Sequence, residues 1–224
     1  MNDLMIIAMA GFTTGITTVL FGFGGGFVVV PFVYQLLVRQ PQLADSAMHI
    51  AVATSTAVMI FNAGWVSYQN WRADRLSSTV LFPLLWFIAM GAVAGSWLAG
   101  ILSEALVRAL FIVYMLATIG DCMLRKGFFS GSAPRRLSFL TVTVGGMLIG
   151  MIAAMLGVGG SVMTVPLLRR HGHAMRECIS ASNPLSLPVA LCGTVTYAIS
   201  GWHKIPTGGF VGFINLKILG LLLL

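Results

Sequence analysis

Gly22-Phe-Gly-Gly-Gly-Phe-Val-Val-Val-Pro31 and Gly157-Val-Gly-Gly-Ser-Val-Met-Thr-Val-Pro166 are one pattern written twice, at a constant offset of 135 residues. Each copy follows an apolar run containing Gly and Thr, and each is followed by a polar or charged stretch. Next comes an apolar run opening with small hydroxyl or amide residues, Ala53-Thr-Ser-Thr56 in one case and Ala181-Ser-Asn183 in the other. Each run ends near a tryptophan, Trp71 or Trp202. Chance matches one Gly-rich segment readily, but not this whole order twice. The order indicates an internal duplication, a frequent feature of transporters.

The surroundings of both copies are those of a membrane protein. The 224-residue chain is 58% hydrophobic and only 8% charged, where a soluble domain carries roughly a quarter charged residues. Residues 4–38, 46–71, 76–103, 137–168 and 178–202 contain no Asp, Glu, Lys or Arg, and 105–120 is broken only by Arg108. About 20 apolar residues cross a bilayer core of about 30 Å as a helix, and such runs must be helical to satisfy their own backbone. The polar–apolar alternation of a barrel strand is absent. The start, Met1-Asn2-Asp3, lacks the positive region of a secretory signal, so the first run is read as part of the mature protein.

Length argues that each Gly-rich copy is the tip of a hairpin. A straight helix over 4–38 would be roughly 52 Å long, too long for one perpendicular crossing. After Gly26 only about a dozen apolar residues remain, too few for a second crossing. A re-entrant or broken helix hairpin meeting at Gly22–Gly26 fits both lengths, and 137–168 fits likewise. The expected fold is an all-α polytopic membrane protein with two inverted repeats. The first repeat, 1–124, comprises a hairpin over 4–38 and spans over about 47–70, 79–100 and 105–124. A loop follows at 125–136. The second repeat, 137–224, comprises a hairpin over 137–168, a span over about 178–201 and an incomplete last helix over 205–224.

Three spans between the hairpins invert the second repeat. Arg72, Arg75, Arg125, Lys126, Arg135, Arg136, Arg169, Arg170 and Arg176 then share one side, against Arg39, Arg108, Lys204 and Lys217. The split of nine to four makes the first side cytoplasmic, including the 125–136 loop. Were the hairpins to cross, the split would be eight to five. The net charge of +7 is thus explained by loop bases, and nucleic acid is not an expected partner. Glu104 stands one turn before Arg108, a favourable i,i+4 order.

The glycine turns are the first site candidates. A helix N-terminus within the membrane offers free N–H groups and partial positive charge, which bind an anion without a charged side chain. Residues without side chains let it approach the backbone. This selects Gly22, Gly24, Gly25, Gly26, Gly157, Gly159, Gly160 and Ser161, with half-helices beginning at Phe27 and Val162. The competing reading is that the glycines serve only tight turns and close helix packing. Thr54, Ser55, Thr56, Ser182 and Asn183 could add hydrogen bonds to an oxyanion. Each could instead bond its own helix backbone or a neighbouring helix. Asn62 is a weaker case of the same kind.

Other chemistries lack their residues. Phe27 and Val162 stand where a GxGxxG pattern needs its third glycine, and no Lys-Ser or Lys-Thr follows for a phosphate-binding loop. Cys122, Cys178 and Cys192 are widely spaced, suiting apolar packing rather than disulfides or zinc. His49 stands at a span entrance, while His171, His173 and His203 fall in loops and are read as solvated. Trp71, Trp202, Tyr68 and Tyr197 read as interfacial anchors. Asp45, Asp74, Glu104, Asp121 and Glu177 all fall near span ends, so a deep carboxylate relay is not visible. No cofactor, metal or enzymatic activity is expected.

Gly22-Phe-Gly-Gly-Gly26 with Pro31, Gly157-Val-Gly-Gly160 with Pro166, Gly91-Ala-Val-Ala-Gly95 and Val211-Gly-Phe-Ile-Asn-Leu216 together resemble the sulfite exporter TauE/SafE family of anion permeases. The similarity spans nearly the whole chain. It implies a transporter of the plasma (inner) membrane that moves small, often sulfur-containing anions such as sulfite or organosulfonates. It also implies the remainder of the last helix and one helix more. The expected function is transport by alternating access with the bilayer as surroundings, and a homo-oligomer remains open. The alternative is a non-transporting membrane interaction or accessory protein derived from a shortened transporter.

Overall fold

The structure, a computed structural model, describes residues 12, 26–40, 42–73, 78–124, 138–202 and 209–223. Gly22, Gly24 and Gly25, most of the first hairpin's initial arm and the 125–136 loop lie outside these residues. The described elements are α1 (Gly26–Val38), α2 (Ala47–Arg72), α3 (Ser78–Ile101), α4 (Glu104–Leu124), α5 (Gly146–Leu156), α6 (Ser161–Arg170), α7 (Met175–Gly201), strands β1 (Phe210–Val211) and β2 (Ile214–Asn215), and α8 (Leu216–Leu222). A 3-10 turn at Ala44–Ser46 leads into α2, and a π turn at Thr141–Gly145 leads into α5.

Among the described residues, three helices are long and apolar enough to cross a membrane: Ala44–Arg72, Phe82–Ile101 and Met175–Gly201. They cover the regions read as spans over 47–70, 79–100 and 178–201. The region read as a span over 105–124 is helical as α4, but is not one of these three. The protein is thus nearly all α. The expected helix over 205–224 is corrected by β1 and β2, which pair antiparallel with Phe210 opposite Asn215. Gly209 and Gly212 have positive φ there, where glycine is favoured over residues with a side chain. The helix therefore begins only at Leu216, with the Asn215 carboxamide oxygen accepting from the Lys217 and Ile218 N–H groups. Such a cap satisfies amides that have no partner within the helix.

Two helices form the centre. Buried positions make up 67% and 61% of the most apolar stretches of α2 and α7, against 39% for α3. α2 and α7 pack on each other, α1 lies on α2, and α6 lies on α7. α3 reaches across to α7 and α5, and α8 reaches across to α2. Elements from one half of the sequence are thus completed by elements from the other.

Small residues set the closest crossing. Cβ atoms built on Gly91 and Gly95 would lie 2.1 and 2.0 Å from the Met147 and Met151 carbonyl oxygens, and one on Gly150 would lie 2.0 Å from that of Ile88. Glycines spaced four apart on α3 meet glycines spaced four apart, Gly146 and Gly150, at the start of α5. Close backbone approach of this kind drives helix association where the surrounding lipid is as apolar as the side chains. The outer faces agree with lipid. Phe82, Trp86, Met90, Val93, Trp97 and Ile101 are exposed on α3, three or four positions apart and so on one helix face. Leu191, Val195, Ile199 and Trp202 do the same along α7. Continuous apolar faces of this kind suit a membrane rather than water.

Proline shapes the central helix. Pro184 and Pro188 lie inside α7, and a proline cannot donate to the carbonyl four residues earlier. The Ser180 carbonyl, freed by Pro184, accepts instead from the Asn70 side chain of α2 at 3.5 Å.

Candidate functional site

The second glycine turn is built as a break between two helices. α5 ends at Gly157, which is left-handed with φ 67°, and Gly159 follows with φ 77°. Gly160 then leads into α6, which starts at Ser161, one residue before the expected Val162. Gly157, Gly159, Gly160 and Ser161 are all buried. The turn therefore sits inside the helix packing rather than at a surface.

Residues of α1 and α2 reach this turn directly. The Ser55 hydroxyl donates to the Gly157 carbonyl at 2.8 Å. A Cβ on Gly26 would fall 2.1 Å from that same carbonyl oxygen and 3.0 Å from Ser55 Oγ. Gly26, Ser55 and Gly157 thus meet at one point, and the absence of a side chain on Gly26 permits it. Thr54, the residue before Ser55 on α2, has its hydroxyl oxygen accepting from the Asn215 N–H at 3.2 Å.

The remaining hydroxyls divide. Thr56 donates to Ala53 and Ser182 to Ile179, each within its own helix. Asn183 donates its Nδ2 to the Ile179 carbonyl at 3.3 Å. Its Oδ1, however, is buried without a hydrogen-bond partner, and so is Ser161 Oγ. Buried polar atoms almost always find a partner, so these two stand out, Ser161 at the start of α6 and Asn183 within α7; Ser67 Oγ, Tyr114 Oη and Thr194 Oγ1 are likewise buried without a partner. Ser186, which the sequence reading passed over, accepts from the Ser161 N–H at 3.2 Å and donates to the Ser182 carbonyl at 2.9 Å. The spacing of Ser182 and Ser186, one turn apart, was the available signal.

A family model described as Sulfite exporter TauE/SafE matches residues 7–224. The chain belongs to this family. Its relatives include a protein of Haemophilus influenzae named "Probable membrane transporter protein", 27% identical over 89% of this chain and 74% of its own length. A similarly named protein of Methanocaldococcus jannaschii is 20% identical over 96% of this chain and 79% of its own length. One of Bacillus subtilis is 22% identical over 89% and 80%. No solved structure gives a significant match. This TauE/SafE chain is an integral membrane protein of a transporter family.

Three assignments in this TauE/SafE chain change with the structure. Tyr197 is not an interfacial anchor: it is fully buried, and its hydroxyl donates to the Ala154 carbonyl at 3.1 Å. Trp71, Tyr68 and Trp202 remain exposed. His49 is not merely at a span entrance. It is buried, with Nδ1 2.9 Å from Glu104 Oε2 and Nε2 2.9 Å from the Ala99 carbonyl. Glu104 thus bonds α2, while Arg108 donates to Tyr34 Oη at 2.9 Å. No sequence signal joins His49 to Glu104, because their contact spans two helix ends that only the packing brings together. His171 and His173 are half-buried rather than freely solvated; His171 Nδ1 lies 2.9 Å from the Leu167 carbonyl and His173 Nδ1 lies 3.5 Å from Glu177.

Proposed function

We propose that the chain is a multi-pass plasma-membrane transporter of a small monovalent oxyanion, such as hydrogen sulfite or an organosulfonate, working by alternating access between two inverted repeats. The observation that carries the reading is the start of α6, where Ser161 Oγ is buried without a partner, with a second such atom, Asn183 Oδ1, on α7, the helix that α6 packs against. The N-terminus of a helix favours negative charge, and the Ser161 hydroxyl has a proton to give. Moving an anion from water into such a site loses hydration that fixed dipoles must replace. Two half-helix ends supply about one unit of positive charge, which suits a monoanion. Gly22, Gly24, Gly25 and Gly26 would contribute the matching turn of the first repeat, with Thr54 and Ser55 beside it.

Support for inverted repeats comes from the doubled motif, the nine-to-four charge split and the exchanged packing of α3 on α7 and α8 on α2. The test uses three probes of similar size: dimethyl sulfone, methanesulfonate and trimethylsulfonium. Thermal protection of the purified chain by methanesulfonate and by sulfite, and by neither of the others, is expected. Equal or better protection by the neutral or cationic probe overturns the reading.

A further inference from the structure

We propose that His49 and Glu104 form a proton-binding site and that transport is coupled to the proton held there. The coupling deepens the anion-transport reading and rests on it, whereas the proton site itself does not. The argument is one of donors and acceptors. The Ala99 carbonyl 2.9 Å from His49 Nε2 can only accept, so Nε2 must carry a hydrogen. A Glu104 carboxylate can also only accept, and its Oε1 already accepts from the Met48 N–H. A neutral imidazole protonated at Nε2 would then aim a lone pair from Nδ1 at a carboxylate lone pair 2.9 Å away.

A second proton removes that conflict. Placed on Nδ1 it gives an imidazolium–carboxylate pair, and placed on Oε2 it gives a neutral imidazole and carboxylic acid. Both forms hold two protons and have zero net charge. Loss of one proton leaves net charge −1 and two facing acceptors, so the contact opens. The proton has a way out: the Glu104 side chain is 20% exposed, while that of His49 is 10% exposed.

The pair is joined to the candidate substrate site through the β-hairpin. The Phe213 ring stacks on His49 with centroids 5.6 Å apart and planes at 29°. Two residues later, the Asn215 N–H bonds Thr54, neighbour of Ser55, and the Asn215 carboxamide caps α8. His49, Thr54 and Ser55 all lie on α2, within about 9 Å along its axis. Opening the His49–Glu104 contact therefore loosens α4 from α2 and removes one support of the hairpin that covers Thr54.

The neighbouring ionisable groups are few. Arg108 of α4 lies one turn from Glu104 and bonds Tyr34 of α1. Arg39 follows α1, Asp45 precedes α2 and Lys217 lies on α8, all three exposed. Tyr114 of α4 and Tyr197 of α7 are uncharged phenols at neutral pH. α3 contributes the Ala99 carbonyl, and its residues 82–101 include no ionisable side chain. His203 and Lys204 lie outside the described residues.

Two measurements on the full chain in lipid vesicles test this. In the first, nitrogen NMR of histidine-labelled protein, assigned with H49Q, follows His49 from acid to alkaline pH. The expected result is a Nδ1 resonance that moves as one proton leaves, with the transition altered in E104Q. A Nδ1 resonance that stays fixed throughout overturns the proton site. In the second, flux of methanesulfonate, whose charge does not change with pH, is measured under an imposed pH gradient. Accumulation of about tenfold per pH unit is expected for one proton per anion, since tenfold corresponds to 1.4 kcal/mol. H49Q and E104Q should keep exchange at equal pH and lose this accumulation. Wild-type exchange insensitive to the gradient overturns the coupling. Wild-type protein that moves no methanesulfonate counts against the transport reading, while NMR still decides the proton site.

Discussion

Ser55 and Gly157 lie 102 positions apart in the sequence and share a hydrogen bond of 2.8 Å, from hydroxyl to carbonyl. That bond ties the middle of α2 to the break between α5 and α6, and so joins distant parts of the sequence at the candidate site. Ser55→Ala leaves a buried carbonyl short of its donor, which costs about 1–3 kcal/mol. A lower thermal midpoint of the detergent-solubilised protein is the expected outcome. Gly26→Ala should be worse, because the new Cβ meets the same carbonyl oxygen at 2.1 Å and backbone must move.

Ser161→Ala should separate stability from binding. The Ser161 hydroxyl has no protein partner, so its removal breaks no bond and the thermal midpoint should hold or rise. A hydrogen bond to an anion is worth about 1.5–3 kcal/mol, so affinity for methanesulfonate should fall by roughly tenfold or more. Calorimetric titration of the two proteins reads both effects. Unchanged affinity would remove Ser161 from the site.

The glycines of α3 and α5 differ from those in open positions. Gly95→Ala and Gly150→Ala should disrupt the α3–α5 crossing, since each new methyl meets a backbone oxygen at 2.0 Å. Gly120→Ala and Gly220→Ala meet nothing within 4 Å and remove a helix-weakening residue worth roughly 1 kcal/mol. The yield of monodisperse protein should therefore fall for the first pair and hold for the second.

Sidedness follows from the hairpin reading. In a background without native cysteines, Ala73→Cys and Ala174→Cys should resist an impermeant external thiol reagent, and Gln40→Cys and Ser103→Cys should react. Labelling of Ala174→Cys from outside would mean that the α5–α6 segment crosses the membrane.

The sequence by itself determined the membrane class, most of the helical regions and the repeated Gly-rich pattern, because each is local or periodic. A charge-free run shows its length without any knowledge of its neighbours, and a repeated Gly-rich pattern shows its offset. It also placed Ser161, Asn183 and the second glycine turn among the site candidates. Only the tertiary structure decided which polar groups have partners. Thr56 and Ser182 bond their own helices, Ser55 bonds the distant Gly157 carbonyl, and Ser161 Oγ and Asn183 Oδ1 bond nothing. Tyr197 and His49 looked like boundary residues because they stand near span ends, yet both are buried by elements far away in sequence. The short hairpin at 210–215 escaped a reading based on apolar length, since two-residue strands have no period to detect. The physical reason is common to all of these. Composition and periodicity are properties of a segment, whereas hydrogen-bond satisfaction depends on which distant backbone groups the packed helices bring within about 3 Å.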